Sequence, residues 1–275
     1  MTADRSTAPH GGTRVDAHGG PSEGPPEGDV PLLAVAHGSA DPRSAAAVSA
    51  VFERVRALRP GLDVRVSYLD HVAPSAEEAL DELAARGAGE AVVLPALLTA
   101  AYHSKVDLPG VLADARERGP WLRVHYARTL GPHPLLTDAV ERRLAEAGVR
   151  PGPDTALVLA SAGSSDPEAN ATVAAMAAEL ARRGPWREVV AAYASAAAPG
   201  PGEAVAALRG RGASRVAVAT YLLAPGFFAD RVRARSLEAG AWTVSEALGD
   251  APELARVVLD RYDAAVAAGH AARTG

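Results

Sequence analysis

The chain has 275 residues, 48% of them hydrophobic and 22% charged, with a formal net charge of −5 and a pI near 5.9. At roughly 150 residues per domain this length predicts one to two domains, with enough chain to bury a core unaided by disulfides or structural metal. The acidic balance argues against a dedicated nucleic-acid binder. The absence of cysteine excludes disulfides, iron–sulfur clusters, thiolate-held zinc and cysteine nucleophiles, so any metal must be held by nitrogen or oxygen.

Residues 1–29 are rich in Gly, Pro, Ser and acidic side chains and predict a disordered tail, with His10 and His18 scattered in it. This stretch has no apolar segment of the kind a signal peptide needs, and no apolar run anywhere is long enough to span a membrane, so a cytoplasmic location is expected. Leu32 to Ala36 then reads as a buried strand, and Ser44 to Leu58 as a helix stopped by Arg59-Pro60-Gly61. Val64 to Leu69 is a second strand. Ser75 to Ala85 is a helix whose Ser75 and Glu78 have capping-box spacing. Ala91 to Leu98 is a strand, Val106 to Arg118 a helix, Leu122 to Ala127 a strand and Pro134 to Ala147 a helix. This alternation predicts an α/β fold with a doubly wound, mainly parallel four-stranded sheet covered by helices on both faces.

After Arg150-Pro151-Gly152-Pro153 the pattern restarts. Strands are predicted at 156–160, 189–193, 216–219 and 242–244, and a helix at 167–183. The restart is an internal repeat at an offset of 125 residues. Gly38-Ser39 meets Gly163-Ser164, Asp41-Pro42 meets Asp166-Pro167, and Tyr68 meets Tyr193. Ala73-Pro74 meets Ala198-Pro199, and Arg86-Gly87-Ala88 meets Arg211-Gly212-Ala213. The chain is therefore expected to hold two tandem copies of one unit, at 30–150 and 151–266, with a short tail at 267–275.

The repeat serves as an internal control: residues present in both copies are scaffold, and chemistry present in one copy marks function. His37 is matched by Ala162, Asp70 by Ser195 and His103 by Phe228. All three fall at or just past the carboxyl ends of predicted strands, where open parallel sheets form their ligand crevice. Two imidazoles and a carboxylate suit a divalent first-row metal with positions left open for substrate. His71 is expected to point away from Asp70 if the strand continues. His125 is expected to be packed or paired within its strand, and His133 to lie in the loop after it. Lys105 is the only lysine in the chain. Lys105 and Arg43, with the backbone N–H groups of Gly38 and Ser39, are candidates to bind an anionic substrate.

Ala36-His37-Gly38-Ser39 with Asp41-Pro42, then Tyr68-Leu69-Asp70 with Ala73-Pro74-Ser75, then Tyr102-His103-Ser104-Lys105-Val106-Asp107-Leu108-Pro109, resembles the sirohydrochlorin chelatase family (CbiX/SirB, class II) in its long, two-domain form. The resemblance covers roughly residues 30–265. It implies insertion of Fe²⁺ or Co²⁺ into the tetrapyrrole sirohydrochlorin, toward siroheme or cobalamin, with no permanently bound cofactor. It places the metal on His37 and His103, with Asp70 where the family usually has Glu. It makes His37 and His103 the catalytic pair, and Ser39, Arg43 and Lys105 substrate-binding residues. The second copy is then a degenerate one that walls the cleft, and the duplicated chain is expected to be a monomer. A noncatalytic tetrapyrrole or metal carrier is the alternative. A histidine phosphatase would need Arg where Ala36 stands, and a two-lobed solute-binding protein would spread its ligand contacts over both lobes.

Overall fold

The structure, a computed structural model, describes residues 29–274, without the side chains of His103, Arg273 and Thr274. Apart from Asp29, the expected N-terminal tail with His10 and His18 lies outside the described residues. The first half runs β1 (Leu32–Ala36), α1 (Pro42–Leu58), β2 (Val64–Tyr68), α2 (Ala76–Ala85) and β3 (Glu90–Pro95). A π-helical turn (His103–Asp107), α3 (Leu108–Arg118), β4 (Arg123–Tyr126) and α4 (Pro134–Glu146) complete it. The second half runs β5 (Thr155–Ser161), α5 (Pro167–Arg183), β6 (Glu188–Tyr193), α6 (Pro201–Gly210), β7 (Arg215–Tyr221), α7 (Phe227–Glu238), β8 (Thr243–Val244) and α8 (Pro252–Thr274).

Each half holds a four-stranded sheet, in the orders β2-β1-β3-β4 and β6-β5-β7-β8. Every strand pair is parallel. The strand sequences explain why both faces are covered. Side chains alternate across a strand, so Leu32, Ala34 and Ala36 enter one core while Leu33 and Val35 enter another under α2 and α3. In the second half Leu157 and Leu159 face the first of these cores, and Ala156, Val158 and Ala160 pack under α6 and α7. One core is thus shared by both sheets, with α1, α4, α5 and α8 sandwiched between them.

Helix starts follow the sequence closely. Asp41 and Asp166, 125 residues apart, each cap a helix that begins with proline, accepting from the backbone N–H of Arg43 and of Glu168 at 2.9 Å. The Ser75–Glu78 capping box is formed in both directions.

One expectation is corrected. Residues 267–275 were expected as a tail, yet α8 continues through them to Thr274. An Ala-rich stretch has high helix propensity, and α8 is fixed where it packs on the first half. Tyr262 donates to the Val30 carbonyl at 2.7 Å, and Arg59 of α1 pairs with Asp263 at 2.6 Å. The halves are also not closed units in space. α8, from the second copy, packs on α1, β3 and β4, while α4, from the first, packs on β7 and α5. Each copy therefore lends its last helix to the other, and Arg142 of α4 grips the buried Glu253 of α8 at 2.5 Å.

Candidate active site

In each sheet the connection after the first strand goes to one face and the next connection to the other. The strand order consequently reverses between β1 and β3, and between β5 and β7. Parallel sheets bind ligands just outside the carboxyl ends at such switch points. The two switch points face each other here, and the loops that leave them line one cleft of about 740 Å³. This is the size range of sites that enclose a substantial organic ligand.

His37 leaves β1 and lines the cleft. Its ring Nδ1 lies 3.0 Å from the Gly38 carbonyl, which only accepts. Nδ1 is therefore the donor in this contact, which fixes the orientation of the ring. Gly38 takes φ +90°, and a Cβ there would lie 1.8 Å from the Asp70 carbonyl oxygen. Glycine is what lets this loop cross so close to the end of β2. Gly163 repeats the arrangement, with φ +82° and the Ser195 carbonyl 2.0 Å from an added Cβ. The backbones of both copies are thus alike, and the second copy carries Ala162 in place of the imidazole.

Asp70 donates its N–H to the His37 carbonyl at 3.0 Å, so the two backbones meet at the sheet end. Its carboxylate, however, is turned onto His71, accepting from the His71 N–H at 2.8 Å and lying 3.3 Å from its Nε2. The expectation that His71 points away is corrected. β2 ends at Tyr68, His71 takes φ 62°, and strand alternation no longer applies. His71, not Asp70, is among the residues lining the cleft. Among the described residues no three His, Asp or Glu side chains stand together as a metal set. His103 opens the π-helical turn beyond β3, and its side chain lies outside the described residues. That turn is held from β4, where Tyr126 donates to the Ser104 carbonyl at 2.7 Å. Burial pushes the Tyr126 hydroxyl up to about 12, so it stays a donor.

The expected substrate-binding residues are already engaged. Ser39 Oγ accepts from the Asp41 N–H at 3.1 Å, and Ser164 does the same for Asp166 at 3.0 Å, which marks Ser39 as scaffold as well as cleft wall. Arg43 pairs with Asp41 and, in the other half, with Asp230 at 2.6 Å. Lys105 reaches across to Asp166 and Glu168, each at 2.8 Å. Hydrogen bonds to these carboxylates raise the Arg43 and Lys105 pKa values and lower those of Asp41 and Asp166. His125 is paired as expected, its Nε2 2.8 Å from Glu90. His133 caps α4, with Nδ1 accepting from the Leu135 N–H at 3.2 Å.

Three residues of the second half were not foreseen. Tyr221, fully buried, lies with its hydroxyl 3.4 Å from the Leu98 carbonyl and joins the two switch points at the cleft floor. Asn170 locks the Gly163–Ser164 loop, accepting from the Ser164 N–H at 3.0 Å and donating to its carbonyl at 2.7 Å. Phe227, exposed on the lip, stacks edge-on with Phe228. The repeat itself carries a signal for Tyr221 and Asn170, because their counterparts are Ala96 and Ala45.

Two parallel α/β lobes from one repeated unit, with exchanged terminal helices and an imidazole on one wall of a shared cleft, define a two-lobed protein of the chelatase-like class. The chain belongs to the CbiX family, the sirohydrochlorin chelatases, whose model matches twice, over residues 31–147 and 156–265. It is 28% identical to the sirohydrochlorin cobaltochelatase of Priestia megaterium, over 73% of this chain and 66% of that one, a little under two thirds of its length. The sirohydrochlorin ferrochelatase of the same organism is 29% identical, over 74% of this chain and 76% of that one. The structure of SirB from Bacillus subtilis with Fe3+ superposes with a TM-score of 0.79 at 25% identity, over 88% of this chain and 98% of that one.

Proposed function

We propose that this protein inserts a divalent metal, Fe²⁺ or Co²⁺, into sirohydrochlorin. The observation that carries the reading is the asymmetry of the cleft. Two matching loops face each other, and only the first presents an imidazole, that of His37, whose Nδ1 lies 3.0 Å from the Gly38 carbonyl. Relatives named as cobaltochelatase and ferrochelatase support both metals as substrates.

His37 and His103 are assigned to hold the incoming ion and to take up the two pyrrolic protons it displaces. Neutral imidazole binds first-row divalent ions without the tenacity of thiolate, as a handover requires, and imidazole is a common general base. Asp70 joins the set by rotating off His71. Ser39 lines the cleft, and Arg43 and Lys105 are assigned to meet peripheral carboxylates of the macrocycle in exchange for their internal partners. The duplicated chain is assigned as a monomer, since the second copy supplies the facing wall, and as cytoplasmic; among the described residues no helix is long and apolar enough to cross a membrane.

The test is anaerobic insertion of Fe²⁺ and of Co²⁺, separately, into sirohydrochlorin, followed by absorbance. Rates well above the spontaneous reaction are expected. No acceleration with either metal overturns the assignment.

A further inference from the structure

We propose that Phe227 and Phe228, with Tyr102 on the opposite lip, are positioning residues that bind the flat faces of the tetrapyrrole; this rests on the function proposed above. The chain has only three phenylalanines. Phe52 is buried in the core at 1% exposure, whereas Phe227 is 68% and Phe228 38% exposed, and Tyr102 is 60% exposed. Leaving that much apolar ring in water is costly unless something covers it. All three line the cleft that holds His37.

Their placement is built, not incidental. Gly226, with φ +146°, turns the chain into α7 so that Phe227 and Phe228 begin the helix. A Cβ on Gly226 would lie 3.9 Å from Ser39 Oγ and from Asp41, so the turn sits against the His37 loop of the other half. The two rings meet edge to face, with centroids 5.4 Å apart and planes at 69°, and brace each other in a preferred aromatic geometry. The repeat puts Tyr102 opposite Phe227, and His103 opposite Phe228. The second copy thus has ring carbon where the first has an imidazole residue. One wall carries the metal chemistry and the other an apolar platform. A conjugated macrocycle with charge only at its rim fits that division: its faces stack on rings, and its carboxylates stay at the wet mouth.

The test uses the full chain and metal-free sirohydrochlorin. Binding is followed by the fluorescence anisotropy of the tetrapyrrole, and Co²⁺ binding by calorimetry. Phe227→Ala/Phe228→Ala is expected to weaken tetrapyrrole binding about tenfold, as loss of stacked aromatic surface does. It should raise KM with kcat nearly kept, and leave Co²⁺ affinity unchanged. Phe227→Leu keeps apolar bulk without a ring and should fall between; circular dichroism confirms that the variants fold. A wild type that inserts metal, beside a double variant with tetrapyrrole affinity within twofold of it, overturns the platform and spares the function. A wild type that takes up no tetrapyrrole overturns both.

Discussion

Arg43 and Asp230 meet between the two halves at 2.6 Å, and the 125-residue repeat maps this pair onto Glu168 and Lys105, which meet at 2.8 Å with the charges exchanged. The first copy is cationic at both positions, Arg43 and Lys105, so an identical second copy would set Arg against Lys at each contact. Reversing the sign in one copy makes both contacts attractive, so the halves fit each other and not themselves. These pairs are exposed, and exposed pairs add little to stability. Their expected effect lies in the competition between internal carboxylates and those of the substrate. Asp230→Asn releases Arg43 from its partner in the other half and should tighten tetrapyrrole binding several-fold at low salt, whereas Arg43→Gln should weaken it. Both effects should shrink as salt is raised. Titrations at two ionic strengths read this directly, and weaker binding by Asp230→Asn would show that the latch serves closure instead.

The carboxylate of Asp70 is held by His71, and this gives separable outcomes for neighbouring substitutions. If Asp70 is a metal ligand, Asp70→Asn lowers Co²⁺ affinity by about tenfold or more. His71→Ala then leaves the affinity equal or higher, because the carboxylate loses a competing partner. If Asp70 only orients His71, both substitutions damage metal insertion alike and neither changes Co²⁺ affinity. Calorimetry with Co²⁺ and insertion rates, measured on the same preparations, distinguish the two.

Much of this fold is legible in the sequence, for physical reasons that also set the limits. Strands such as Leu32–Ala36 are buried on both faces, so they read as short apolar runs. Asp166-Pro167 announces a helix start because cap and proline act locally, and the same pair at Asp41-Pro42 starts α1 two residues before the expected Ser44. The exchange of α4 and α8 leaves no such mark. Periodicity shows that a helix has an apolar face but not which sheet receives it, and the two sheets offer near-identical surfaces. His71 departs from the expected side because alternation holds only while a strand lasts, and a residue at φ 62° has left it. Asp230, the second partner of Arg43, and both partners of Lys105 lie in the other copy, where no local pattern reaches. The asymmetry of His37 against Ala162 was legible because the repeat supplies its own comparison.

The cap on α4 predicts a pH dependence. Burial, and then the nearby Arg261 guanidinium, hold the His133 pKa below its ordinary value of 6.5, against the opposing pull of Asp260 and Asp138. The neutral ring is the folded-state form, since Nδ1 must accept from Leu135. A group with a depressed folded pKa of this kind contributes fully above pH 6.5, and its contribution fades as pH falls from there through the folded value. His133→Asn keeps a capping side chain that does not titrate. Between pH 7.5 and pH 5.5 the wild type should therefore lose up to about 1 kcal/mol more than the variant, the size of an N-cap. Urea unfolding at both pH values checks it. Equal losses would show that the cap does not titrate in this range.

Gly38 and Gly163 permit a test in which the protein is its own control. Alanine at either position meets a carbonyl oxygen, 1.8 Å away at Asp70 and 2.0 Å at Ser195, and must hold a positive φ. Each substitution should cost more than about 2 kcal/mol, because the loop must move off the neighbouring strand end. The structural damage is matched, but the functional consequence is not. Moving the first loop displaces His37, while moving the second displaces Ala162 and the Asn170 lock. At a temperature where both variants remain folded, Gly38→Ala should lose metal insertion by about a hundredfold or more, as removal of a positioned acid–base group does. Gly163→Ala should retain most of it. Comparable activity in the two, at comparable stability, would take the chemistry away from the His37 loop and leave the asymmetry of the copies without a catalytic meaning.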